Sequence, residues 1–500
     1  MRIASLGSGS RGNGTLIEYE DTCLLVDLGF SLKETLVRLG RLSKSPEDIN
    51  TILVTHEHAD HMSGVAPFAA NFGLLIEDGN YHEFVEWNGS SWEDVTNSVD
   101  IEMFIGFQYN KITEIKIYPL SYQGKKSLFI EVLTDNGLKG LGEVGVARLG
   151  KSVISAIEHL EKRLIGEDPW DSEKLWQIMF RGNFFPPGVV YSSAISAIDI
   201  ALWDLKAKSV DMPLYKLLGG AVREKVVCYP HTQGSSNKEL IENSKKAVDE
   251  GWKFVRWGQP ETHGTFEQGD LSQKFPGRLE PVESVKVATE QMSLVRDAVG
   301  DEIGICLDVH TRLDTAHVID LCKRLEEFRP YFIEDPLRSE SPHAYRNLSK
   351  HTSLPIAAGE QWSSKWQFRQ VIEEDLINYA RIDLCIAGGI TEAKKITNWA
   401  ETHYIDIVPH NPLGAVSAAA CISLCMASTN VGVQEMPRKP GTEGNDIFPV
   451  QISWEDGYAW CNDLPGLGIE FNSEAAEKYH APLDGFSPFL TRNDGAFTNW

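Results

Sequence analysis

Ile305-Cys306-Leu307-Asp308, Tyr331-Phe332-Ile333-Glu334 and Pro355-Ile356-Ala357-Ala358-Gly359-Glu360 are three short apolar runs that each close on an acid. Twenty-six residues separate Asp308 from Glu334, and another 26 separate Glu334 from Glu360. A strand and its return helix in a parallel β/α barrel occupy about this length, so the ladder predicts three carboxylates side by side on one rim. One acid at a strand end is usually a solvated surface group. Three at equal intervals after buried runs repel one another unless a cation lies among them. Hard oxygen donors in that number, on a rigid rim, suit Mg²⁺.

Working outward, short apolar runs alternate with amphipathic helices from about Val226, through FVRWG (254–258), to VSAAACISLCMA (416–427). Repeated strand-helix units of this length predict a parallel sheet closed as a barrel. Upstream, KITEIKIYPL (111–120) and SLFIEVLTDNGLKGLGEV (127–144) alternate as antiparallel strands around the turn Asp135-Asn136-Gly137. Helical periodicity follows in 152–166 and 191–210, which gives a small α+β domain. The last stretch is rich in Pro, Gly and aromatics; PGLGIEF (465–471) reads as one more strand, and the segment is expected to pack back on the small domain.

The 500-residue chain is too long for one ordinary domain, and 42% hydrophobic with 24% charged residues is a globular composition. A net charge of −24 argues against a nucleic-acid partner, which needs a basic face. No apolar stretch reaches the ~18 residues of a membrane span, and the start lacks a hydrophobic signal segment, so no membrane association and a cytoplasmic location are expected. The eight scattered cysteines read as reduced core residues.

Two histidines join the acids. His310 lies two residues beyond Asp308, on the same face if the strand stays extended. His410 closes IDIVPH, and Asp383 closes the preceding strand in YARID. A carboxylate from a neighbouring strand can accept one ring N–H of His410, fix its tautomer and raise its basicity. One divalent metal with a base on one side and an acid on the other suits removal of a proton next to a substrate carboxylate. Expulsion of a β-hydroxyl completes the dehydration of a hydroxy acid.

These motifs are familiar. Residues 111–500 resemble the enolase superfamily, in its mandelate racemase and acid-sugar dehydratase branch, through AISAIDIALWDLKAK, CLDVH, FIEDP, AAGEQW, RIDLCIAGGITEAKKI, VPHNPLGA and GVQEMP. The resemblance implies a modified (β/α)8 barrel with an α+β capping domain, and Mg²⁺ held by Asp308, Glu334 and Glu360. It implies His410, paired with Asp383, as the base at C2, and His310 as the acid at the 3-hydroxyl of a D-galactonate-like aldonate. Glu435 matches a position that binds substrate, Arg256 is a second candidate, and a homo-oligomer is implied. Racemases of this superfamily carry Lys-x-Lys where this chain has Arg256-Trp257, and no Tyr lies between Tyr229 and Tyr331 to act as a mannonate-type base. Mannonate, gluconate and aldarate stay open as substrates.

The amino-terminal part differs. His56-Glu57-His58-Ala59-Asp60-His61 follows ILV and, with SLGSGSRGNG, resembles the start of metallo-β-lactamase-fold hydrolases. That likeness implies zinc ligation by His56, His58, Asp60 and His61, with a zinc hydrolase or nuclease as the alternative activity. The expected organisation is a truncated fragment over 1–75, an acidic junction over 76–110, the capping domain over 111–228, the barrel over 229–435 and a returning segment over 436–500. Both a gene fusion and a misjoined reading frame account for the fragment, the second being favoured because Lys111 looks like the second residue of an enzyme.

Overall fold

The computed structural model describes residues 2–7, 13–19, 22–49, 51–54, 75–78, 84–87, 92–94, 111–260, 277–483 and 490–498. The chain divides into two units, Met1–Gln108 and Tyr109–Trp500.

The first unit is a seven-stranded sheet whose strands pair in chain order, from Arg2–Gly7 to Trp92–Asp94. Helix Leu32–Arg41 supplies Leu39 to a small core with Leu6, Leu16, Leu25, Phe30 and Ile52. The stretch expected as a junction is part of this sheet: Leu75–Asp78, Phe84–Trp87 and Trp92–Asp94 extend it, so the division falls after Gln108 instead of near residue 75. Strands of three or four residues are too short to register as a period of two, which hid them in the sequence. His56, His58, Asp60 and His61 lie outside the described residues.

The second unit begins with three antiparallel strands, Ile112–Tyr122, Lys125–Thr134 and Lys139–Glu143. Helices Gly150–Leu164, Ser172–Arg181 and Val189–Ser209 cover one face around Ile130, Val132, Trp176 and Ile195. The last helix approaches the third strand so closely that a Cβ on Gly142 would sit 2.0 Å from the Ala197 carbonyl oxygen. Only glycine permits that approach.

The barrel has eight short strands: Val226–Tyr229, Phe254–Gly258, Gly304–Asp308, Phe332–Glu334, Ile356–Ala358, Tyr379–Ala380, Asp406–Ile407 and Gln434–Glu435. All neighbours run parallel. Single bridges at His231–Arg256 and Ile407–Val431, with the pairing of Cys228 to Gln434 and Tyr229 to Glu435, close the ring. Strands buried on both faces read as continuous apolar runs. Below the rim Tyr229, Cys306, Phe332, Ala357, Val408 and Val433 fill the interior.

After the eighth strand the chain makes a hairpin, Ser453–Glu455 with Tyr458–Trp460, whose second strand pairs with the first barrel strand at Val226–Ala459. The strand expected over 465–471 is absent; that segment is irregular apart from one bridge, Pro213 to Gly466. Two glycines at positive φ, Gly466 and Gly468, break any extended run there. Farther on, His480 bridges Leu120 and Phe471 stacks edge-on against Tyr118, so the tail touches the capping strands.

Candidate active site

The strand register sets the site. Gly258, Asp308 and Glu334 stand abreast on the second, third and fourth strands. Glu360 follows the fifth strand after Gly359, whose φ of +138° turns the chain. All three acids are buried. The nearest carboxylate oxygens, however, come from Glu334, Asp335 and Glu360, which lie within 4.8 Å of one another. Asp308 is instead occupied: one oxygen accepts the His310 N–H at 2.7 Å and the other pairs with Arg256.

Two guanidiniums thread the acids. Arg256 bridges Asp308 and Glu334, the latter at 3.1 Å, so both of its contacts are internal. Arg381, fully buried, touches Glu334 at 2.6 Å, Glu435 at 2.9 Å, Glu360 at 3.4 Å and the Tyr229 hydroxyl at 2.8 Å. Burial opposes both charges, but the surrounding carboxylates outweigh it and hold each arginine well above its ordinary pKa. Burial, then Glu360, drives Asp335 well above the usual carboxylate range. Asp308, Glu334, Asp335, Glu360, Asp383 and Glu435 are six acids against two guanidiniums. An excess of buried oxygen donors fits a hard dication such as Mg²⁺.

The histidines flank one carboxylate. His310 Nε2 lies 3.6 Å from Glu360 Oε1, and His410 Nε2 lies 3.5 Å from Glu360 Oε2. His310 does not reach this point along an extended strand. The strand ends at Asp308, and His310 and Thr311 take φ of +55° and +60°, an uncommon left-handed pair that turns the ring inward. Burial pushes the His310 pKa down to about 4. His410 is half-buried; desolvation works against its charge, but Glu360, Glu435 and a 2.6 Å hydrogen bond from Nδ1 to Asp383 raise it to about 10.

Glu435, on the eighth strand, is wholly enclosed. It accepts the Asn411 backbone N–H at 2.8 Å as well as Arg381, and pairs with His231 Nε2 at 2.7 Å. Burial resists its charge, yet Arg381 and His410 keep its carboxyl well below the usual range. Sequence reasoning passed over Asp335, Arg381 and His231. The same strand-end rule that found Asp383 would have found Arg381, two residues earlier, and His231, just past the first strand. Asp335 carries no such signal, because alternation would turn it away from Glu334.

A capped, closed barrel with an acidic, Mg²⁺-suited mouth defines a metal-dependent barrel enzyme. Residues 102–219 match the mandelate racemase / muconate lactonizing enzyme N-terminal domain, and residues 239–476 the enolase C-terminal domain-like family. The chain is 33% identical over 406 residues to a D-mannonate dehydratase of Caulobacter sp. (strain K31), and 34% identical over 397 residues to a D-galactonate dehydratase of Pectobacterium atrosepticum. Each alignment covers 78% of this chain and all of the relative. A crystal structure of an enolase from Pantoea ananatis with bound D-gluconate and Mg superposes with a TM-score of 0.72 at 28% identity, covering 78% of this chain and all of that one. The chain belongs to the enolase superfamily, in its mandelate racemase and muconate lactonizing enzyme family. Members of this superfamily use Mg²⁺. Residues 7–99 match the metallo-beta-lactamase superfamily, so that likeness continues beyond residue 75 through the added strands.

Proposed function

We propose that the protein is a Mg²⁺-dependent acid-sugar dehydratase that converts an aldonate of the D-galactonate kind into a 2-keto-3-deoxy acid. The observation that carries this reading is that His310 and the His410–Asp383 pair address opposite oxygens of Glu360, an acid and a base around one centre. Asp308, Glu334 and Glu360 would hold the metal with Asp335 beside them, Arg256 yielding its oxygen on Asp308. When bound, Mg²⁺ draws charge from the substrate carboxylate and so makes the adjacent C–H more acidic.

His410, oriented by Asp383, takes the C2 proton, and His310 delivers a proton to the departing 3-hydroxyl. Their surroundings set the two rings apart: burial pushes His310 down to about 4, while Glu360, Glu435 and Asp383 raise His410 to about 10. Glu360 is the carboxylate that raises both rings most, so a cation engaging it would lower His410 toward the range of a base. Glu435 and Arg256 are assigned to substrate contact, with His231 and Arg381 holding Glu435 in place.

A base of the His-Asp type favours the galactonate branch, while the mannonate dehydratase among the relatives keeps that epimer in the panel. A series of aldonates and aldarates incubated with Mg²⁺, read by keto-acid formation, tests the reading. It fails if the wild type produces no 2-keto-3-deoxy acid from any of them. Among the described residues no helix is long and apolar enough to cross a membrane. A cytoplasmic homo-oligomer completes the proposal, with sedimentation velocity as the check on assembly.

A further inference from the structure

The His410–Asp383 pair stands on two loops, and both rest on the capping domain. Asp383 keeps one oxygen for His410 and uses the other to accept the Cys385 N–H at 2.7 Å. The Cys385 carbonyl in turn accepts the Ser193 hydroxyl at 2.9 Å and the Gly145 N–H at 3.3 Å. Ser193, fully buried on the capping helix Val189–Ser209, also accepts the Gly145 N–H at 2.9 Å. Contact here is tight, since a Cβ on Gly145 would lie 2.5 Å from the Ile386 side chain.

The His410 side is built the same way. Four residues after His410 the chain reaches Gly414, where helix Ala415–Met426 begins without a side-chain cap of its own. Glu143, ending the third capping strand and 1% exposed, supplies the cap: its carboxylate accepts the Gly414 N–H at 2.8 Å and the Ser417 N–H at 2.9 Å.

We propose that Ser193 and Glu143 are positioning residues for the proton-abstracting pair, so that the docked cap sets the distance and angle between His410 and Asp383. Without the Ser193 hydroxyl, Cys385 keeps one long hydrogen bond, and the loop that aims Asp383 relaxes. Glu143→Gln turns an amide N–H toward one of two backbone donors, which releases the start of the helix behind His410. Neither change touches Glu334, Asp335 or Glu360. The defect therefore falls on the proton-transfer step and leaves binding alone.

This inference rests on the dehydratase reading, and the experiment separates the two. Full-length wild type, Ser193→Ala, Glu143→Gln and the control Ser192→Ala are compared with Mg²⁺ and the best aldonate. Ser192 is equally buried on the same helix, and among the described residues its hydroxyl has no hydrogen-bond partner. Two readouts are taken: kcat against KM, and the low-field Nδ1 proton resonance of His410 without substrate, assigned by its loss in His410→Asn. The expected result is a kcat lowered about 10- to 100-fold at unchanged KM, with the resonance shifted or broadened, in both variants and not in the control. A wild-type kcat with an unmoved resonance, a loss confined to KM, or the same loss in Ser192→Ala overturns the inference. So does loss of the fold in both variants, seen by circular dichroism, because the two residues would then be structural only. If the wild type dehydrates nothing, the dehydratase reading fails, while the resonance comparison still decides the positioning.

Discussion

Glu360 faces two imidazoles whose environments push in opposite directions, and that asymmetry yields the sharpest residue-scale expectations. His410→Asn removes the proposed base: kcat should fall about 10²- to 10⁴-fold while Mg²⁺ binding by calorimetry is retained. Retained turnover would transfer the base role to another group. The second expectation concerns charge. Surrounding carboxylates raise His410 to about 10 and burial lowers His310 to about 4, and saturating Mg²⁺ should lower His410, because its largest raising influence is the carboxylate that the cation would engage. A ¹H–¹⁵N titration of the ring nitrogens reads this, and an unmoved His410 argues that Glu360 does not bind the cation. The ladder acids, both histidines and Asp383 were legible because strand ends in a barrel converge on one mouth. Arg381 lay within reach of the same strand-end rule, but its role shows only across strands: the Glu334, Glu360 and Glu435 carboxylates, the Tyr229 hydroxyl and the Val408 carbonyl all meet its guanidinium.

At the scale of elements, the repeat of apolar run and amphipathic helix was enough to foresee the barrel, although the sixth, seventh and eighth strands are only two residues long. Strands that short carry no alternation, and the helices between them supplied the signal. Runs without helices beside them were misread, as at 465–471 and in the strands after residue 75. The packing of cap helix on cap strand invites a direct test. Gly142→Ala drives a methyl into the Ala197 carbonyl and should cost about 1–3 kcal/mol, read as a lowered thermal midpoint.

That same capping helix buries Asp199, which accepts both the N–H and the hydroxyl of Thr391 at the start of helix Gly389–Glu401. Burial raises its pKa from 3.8 to about 7. A carboxyl with a raised pKa in the folded state contributes stability that is complete below 3.8 and is lost as pH climbs through about 7. Urea unfolding should therefore show declining stability across that window, and Asp199→Asn should lack this share of the slope. An identical slope in the variant would assign the effect to other buried acids.

At the scale of the whole molecule, the amino-terminal sheet and the capped barrel are separate units with separate cores. Every residue of the proposed chemistry lies in the second. Removing residues 1–108 should leave kcat and KM for the aldonate unchanged, and a collapse of activity in a folded truncation would tie the first unit to catalysis.

The first barrel strand is the molecule's most demanded element, pairing with the eighth strand at Cys228–Gln434 and with the terminal hairpin at Val226–Ala459. Both partners are made more than 200 residues later. During synthesis that strand waits with an edge unpaired while six others assemble beside it, and an unpaired edge is a template for the wrong chain. Closure is thus a late, long-range event, and refolding from denaturant should be slow and sensitive to protein concentration long before any active-site residue matters.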